Sequence, residues 1–260
     1  MKIIVCIKQV PDTTEVKIDP KTGTLIRDGI PSIINPDDKS GLEAALKLKD
    51  EAGAHVTVLT MGPPQADLAL REVLAMGADR AILLTDRGFA GADTWATSCT
   101  LAGAIEKLEY DLIIAGRQAI DGDTAQVGPQ IAEHLNLPQV TYVEDLKLQG
   151  NEFLLKRSFE DGYHLIKVKP PCLITTLKEM NEARYMKIGG VFDAYREKEV
   201  EVWNLKDINV DISNIGLKGS PTKVKKAFTK GAKTAGKVYD VAPKEAAEII
   251  IEKLKEKFII

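Results

Sequence analysis

The sequence predicts an α/β fold: a doubly wound, mostly parallel sheet that carries an antiparallel meander and a C-terminal arm. Three observations predict it. From Lys2 to Leu135, short apolar runs rich in β-branched residues alternate with segments of helical period. From Val140 to Val168 the apolar period falls to two, with glycine-containing turns between the runs. Beyond about Met186 core character fades, and Lys218 to Lys237 holds seven lysines and no acid, a composition that does not build a core.

The elements follow in order. Lys2–Ile7 is nearly all apolar and reads as a strand buried on both faces. Turn chemistry at Lys21–Gly23 and Asp28–Gly29 suggests a small hairpin around Thr24–Arg27. Asn35-Pro36-Asp37-Asp38 starts a helix with Leu42, Ala45, Leu46 and Leu48 on its inner face, and Gly53 ends it. His55–Thr60 is the second strand. A turn at Met61-Gly62-Pro63-Pro64 leads into a helix from about Gln65 to Met76, and Arg80–Leu84 is the third strand. Asp93 caps a helix to about Leu108, Asp111–Ala115 is the fourth strand, and about Thr124 to Leu135 is a further helix. Val140–Leu148, Phe153–Phe159 and Tyr163–Val168 form the meander, Cys172–Thr176 returns to the sheet, and Ala242–Lys257 is a closing amphipathic helix.

Bulk properties exclude several functions. Of the 260 residues, 44% are hydrophobic and 28% charged, ordinary for a globular protein, and the net charge of -3 does not favour nucleic acid. The opening apolar run is too short to span a membrane and lacks a small-residue cleavage site, so a cytoplasmic protein without membrane insertion is expected. Cys6, Cys99 and Cys172 are widely spaced and odd in number, and His55, His134 and His164 fall in separate segments. Neither a disulfide framework nor a metal site is expected.

Ligands of open α/β sheets bind beyond the carboxyl ends of the strands. Cys6–Lys8, Asn35–Asp38, Met61–Gly62 and the loop after Asp111–Ala115 should converge there. That loop runs from Gly116 to Gly128. A polar stretch followed by a helix start favours a phosphate, and Gly122 lets the backbone approach closely. Thr124 and Gln126 would bond phosphate oxygens, with Asp123 as N-cap and Asp121 as a loop brace. A plain capped helix after a strand is the alternative. Neither a GxGxxG nor a Walker A motif is present.

Several long motifs in order resemble one family. GRQAIDGDTAQVGPQIAE, the opening VCIKQVPD, INPDD, the MGPP turn and LAMGADRAILL resemble the electron-transferring flavoprotein beta (small) subunit. RSFEDGYHLIKVKPPCLITT, NEARYMKI and SPTKVKKAF extend the resemblance nearly to the C-terminus. The resemblance implies an adenine-nucleotide-hydrolase-like strand order of 3-2-1-4-5 and an obligate heterodimer with an alpha subunit carrying a second FAD. It also implies a nucleotide- and flavin-binding domain over residues 1–190, with an arm and closing helix over 191–260 packing on that subunit. Matching positions that contact the nucleotide are Cys6, Asn35, Asp38, Met61, Gly116, Gln118, Gly122, Asp123, Thr124, Ala125, Gln126 and Val127. For Cys6 and Met61, core packing is the alternative.

The family divides over the ligand. Ordinary members hold AMP. Electron-bifurcating members hold a second FAD that NADH reduces, and send one electron to the alpha-subunit FAD and an acyl-CoA dehydrogenase, the other to ferredoxin or flavodoxin. The stretch Asp86–Ser98, with its GADTWATS, resembles the bifurcating group, so FAD is expected, with AMP as the alternative. Asp93, Thr94 and Thr97 would serve the flavin and Phe89 would lie near NADH; the alternative is that Phe89 and Trp95 are simply buried and Asp93 only caps. The chemistry belongs to the flavin, and no catalytic residue is expected from this chain. Ile188 corresponds to an apolar anchor for the dehydrogenase, or else covers the meander. A stand-alone adenine-nucleotide-binding regulatory domain is a third reading.

Overall fold

The computed structural model describes residues 1–12, 31–223 and 236–260. The chain divides into two compact units, Met1–Lys226 and Ala227–Ile260. In the first, β1 (Lys2–Cys6) leads to a short ladder of β2 (Gln9–Pro11) with β3 (Ser32–Ile34), and then to α1 (Pro36–Ala52). β4 (His55–Met61), α2 (Asp67–Met76), β5 (Arg80–Leu84), α3 (Thr94–Ile105), β6 (Leu112–Gly116) and α4 (Val127–His134) continue the alternation. The meander is β7 (Gln139–Gln149), β8 (Glu152–Phe159) and β9 (Gly162–Val168), followed by β10 (Cys172–Thr176). α5 (Ile188–Arg196), β11 (Val200–Trp203) and the short α6 (Gly216–Gly219) complete the unit. The second unit contains α7 (Pro243–Glu256), with Pro243 at its first turn, where a missing N–H costs nothing. The expected hairpin at Thr24–Arg27 and most of the lysine-rich stretch lie outside the described residues.

The nine-stranded sheet has the order β11-β5-β4-β1-β6-β10-β7-β8-β9. Its parallel core, β5-β4-β1-β6-β10, is the 3-2-1-4-5 arrangement that the resemblance implied. β7 joins β10 in parallel, and β8 and β9 extend it antiparallel. Residues 200–203, read from sequence as the start of an arm, form an edge strand parallel to β5. The extended conformation there is short and half-exposed, so it carries little hydrophobic signal.

Alternate strand residues feed two cores. Ile3, Val5, Val58, Leu83 and Ile114 pack with Leu42 and Leu46 of α1 and with Leu70 and Val73 of α2. Ile4, Leu59, Ile82 and Ile113 pack on the other face with Leu101 of α3 and Ile131 of α4. Each such buried aliphatic side chain contributes about 1.5–3 kcal/mol. A glycine sharpens the end of α1: Gly53 sits at φ 66, with its N–H on Lys49 O. The parallel register aligns Cys6, Leu59 and Ala115, so the loops after β1, β4 and β6 leave the sheet at one edge.

Candidate functional site

That carboxyl edge gathers the residues singled out in the sequence. Cys6 is 8% exposed and packs in the second core, with Met61 partly buried against it. Burial, and then the negative charge of Asp38, push the Cys6 thiol up to about 12. Burial thus favours the neutral thiol at Cys6.

The start of α1 ties the strand ends together. Asp38 Oδ2 accepts from the Lys8 N–H at 2.7 Å and Oδ1 from the Gly116 N–H at 3.0 Å. Burial pushes its carboxyl up to about 7, against the pull of Asn35 and these two amides. A Cβ on Gly116 would overlap the Asp38 carboxylate, so this glycine is demanded by the packing beneath it. Asn35 precedes the helix but does not cap it. Its Nδ2 donates to Gln118 O at 2.8 Å, and its Oδ1 accepts from the Ile120 N–H at 3.1 Å. Asp37 lies 3.4 Å from Arg117 Nε through Oδ2, and its Oδ1 accepts from the Lys178 N–H at 3.1 Å. Burial outweighs the nearby guanidinium and raises the Asp37 carboxyl.

The loop from Arg117 to Gln126 differs from its sequence reading in one respect. The helix begins at Val127, not near Thr124, and Gln126 occupies the N-cap position expected for Asp123. Asp123 and Ala125 adopt φ 49 and φ 53, which no right-handed helix admits. Each costs about 1–2 kcal/mol for an L-residue. Nothing in the residue types announces this, since alanine is a strong helix former. Asp123 instead accepts from Gln118 Nε2 at 2.8 Å. Asp121 is the brace expected of it, pairing with Lys8 Nζ at 2.6 Å.

The geometry of this turn suits an anion. Left-handed Ala125 is followed by right-handed Gln126 (φ -112, ψ -32); such succession turns neighbouring N–H groups into a common concavity. The N–H groups of Gly122 and Asp123 close the turn on Ala119 O. Those of Thr124 to Val127 find no acceptor among the described residues. A Cβ on Gly122 would meet nothing within 4 Å, so no protein neighbour requires glycine there.

The second loop, between β5 and α3, lies beside the first. Thr94 Oγ1 donates to Gln126 Oε1 at 3.1 Å, which joins the start of α3 to the cap of α4. Asp93 caps α3 as read, with Oδ1 accepting from the Ala96 N–H at 3.0 Å. Its Oδ2 accepts from the N–H and hydroxyl of Thr222 at 2.9 and 2.7 Å. Although burial alone would raise it, these donors hold the Asp93 carboxyl below the usual range. The glycine-rich turn is pinned as well: Leu217 N–H donates to Ala90 O and Leu205 N–H to Asp86 Oδ2. Phe89 is 5% exposed, in the second core with Ile215, whereas Trp95 is 39% exposed and meets His134 edge-on at 4.9 Å. In this conformation the Phe89 ring supports the loop from below. Thr97 sits one turn into α3. Sequence reasoning brought Lys8 to this edge without its partner and missed Ser220 and Thr222, because the partners lie 113 to 129 residues away and leave no local pattern.

Away from this edge, Ile188 opens α5 at 81% exposure, with Tyr185, Phe192 and Tyr195 exposed nearby. A depression of about 510 Å³ touches Lys2, His55 and Arg80 at the amino ends of the strands, opposite the converging loops. Among the described residues no cluster of His, Cys, Asp and Glu could hold a metal, and no helix is long and apolar enough to cross a membrane.

Comparison with known proteins matches residues 22–208 to the electron transfer flavoprotein domain. The chain is 61% identical over 260 residues to the electron transfer flavoprotein subunit beta of Clostridium acetobutylicum, covering 100% of each. It is 57% identical over 263 residues to the caffeyl-CoA reductase-Etf complex subunit CarD of Acetobacterium woodii, again covering 100% of each. To the acryloyl-CoA reductase electron transfer subunit gamma of Anaerotignum propionicum it is 49% identical over 268 residues, with 100% of each covered. The chain belongs to the electron transfer flavoprotein family.

Proposed function

We propose, from that membership, that this chain is the beta subunit of a bifurcating electron-transferring flavoprotein and holds FAD at the carboxyl edge of its sheet. When bound, FAD supplies hydride acceptance from NADH and one-electron transfer, toward an alpha-subunit FAD and an acyl-CoA dehydrogenase on one side and ferredoxin or flavodoxin on the other. The residues of the chain bind and orient. The amide-lined turn from Gly122 to Val127 takes the pyrophosphate. Cys6 and Met61 border the adenine, and Asp38 holds Gly116 and Lys8 in place behind it. Thr94 and Thr97 face the flavin end. Phe89 and Asp93 shape the loop over which NADH would enter.

One observation carries the preference for FAD over AMP. The Thr94–Gln126 hydrogen bond sets the loop of residues 86–93 directly beside the phosphate turn. A nucleotide gripped by that turn therefore has a second wall along which a longer ligand can continue, which AMP would not use. The names of two relatives, a caffeyl-CoA reductase complex subunit and an acryloyl-CoA reductase subunit, support a partner acting on CoA thioesters. Ile188 is the proposed anchor for that partner. An exposed isoleucine gains about 1.5–3 kcal/mol on full burial.

Flavin content decides between the ligands. The heterodimer of this chain with its alpha subunit should carry two flavins per pair, released by denaturation and quantified by absorbance. One flavin together with one AMP per pair would remove the bifurcation reading and leave an ordinary electron carrier.

A further inference from the structure

The strained turn needs an external hold. Two of its residues are left-handed without being glycine, and four of its N–H groups have no acceptor among the described residues. Such a backbone does not keep its shape alone. The hold comes from behind. Asn35 is 0% exposed, and both ends of its amide are spent on loop backbone, on Gln118 O and on the Ile120 N–H. Its side chain also bonds the buried Asp38 carboxylate, so the amide links the loop to the start of α1. From the outer side, Lys8 Nζ holds Asp121 Oδ1 at 2.6 Å, and within the loop Gln118 Nε2 holds Asp123 Oδ1.

We propose that Asn35 is a positioning residue, which sets the ligand-accepting shape of the 117–126 turn from beneath without touching the nucleotide, and that Lys8 completes the hold. The inference rests on the nucleotide reading of this site and changes the role that family resemblance gives Asn35, from ligand contact to template. Aspartate cannot replace it, because a carboxylate would set oxygen against the Gln118 carbonyl.

The test separates phosphate from adenosine. ADP and adenosine are titrated calorimetrically into the full chain and into Asn35→Ala, Asn35→Asp and Lys8→Met variants, with folding checked by circular dichroism. A template for the phosphate turn predicts that Asn35→Ala weakens ADP about tenfold and moves adenosine less than about twofold. Asn35→Asp should fail to rescue, and Lys8→Met should weaken ADP about threefold in the same selective way. Adding Ala125→Gly to Asn35→Ala should restore part of the ADP affinity, because it relieves the strain that Asn35 holds. Equal losses for ADP and adenosine would show direct contact and overturn the inference, as would unchanged ADP binding. If the Asn35 variants do not fold, the selectivity of Lys8→Met decides alone. Wild-type protein that binds neither ligand would instead overturn the nucleotide reading, and this inference with it.

Discussion

Two loops meet at the carboxyl edge of this sheet, and they solve opposite problems. The loop of residues 86–93 has two glycines and reads as pliable, yet it is zipped to residues 205–222 through Asp86, Ala90 and Asp93. The turn of residues 117–126 contains left-handed residues and open amides, and it is held through side chains, by Asn35 from behind, by Lys8 from the outer side and by Thr94 from the neighbouring loop. The first loop spends its polar groups on the chain, and the second leaves the N–H groups of Thr124 to Val127 without an acceptor among the described residues. Glycine content therefore predicts neither mobility nor ligand contact; the destination of each hydrogen-bonding group does.

The contrast is open to test, beginning with the largest effect. Gly116→Ala puts a methyl group into the Asp38 carboxylate and should cost about 3 kcal/mol in urea denaturation. A loss below about 1 kcal/mol would mean that the base of the turn is softer than its packing implies. Asp93→Ala removes both the α3 cap and the tie to Thr222 and should cost about 2 kcal/mol, with Thr222→Val accounting for about half. The Asp93 carboxyl is held low in the folded chain, so this stabilisation is fully present above the ordinary aspartate range and is lost as pH falls through the lowered value. The gap between wild type and Asp93→Ala should therefore begin to narrow below about pH 4 and close only at pH values below the lowered one. A gap that persists there would assign the effect to packing. Gly122→Ala should change stability by less than about 0.5 kcal/mol but weaken ADP binding measured by calorimetry. If stability falls and affinity does not, the glycine serves the fold and the two loops differ less than described.

Much of the fold was legible because burial imposes periods. Arg80–Leu84 and Cys172–Thr176 appear with the boundaries their apolar runs suggest. β11 was not legible, since Glu201 and Val202 are only partly covered and the strand gains its ladder from a distant partner. At the site, the convergence of segments followed from the alternation of strand and helix. The targets of the side chains did not follow. Asn35 and Asp38 bond backbone groups 30 to 85 residues away, which no local pattern announces. Ala125 shows the limit most clearly, because its left-handed state is imposed by the loop around it and contradicts its own preference.

The placement of β10 has a consequence for how the chain comes into being. β6 ends at Gly116, and the strand that covers its outer edge begins at Cys172. A ribosome working at about 5–20 residues per second needs roughly 3–11 s to supply that interval. Throughout it, the β6 ladder offers bare amides and carbonyls to any neighbouring strand. The newborn chain is thus open to mispairing at the very strand whose exit later carries the turn of residues 117–126.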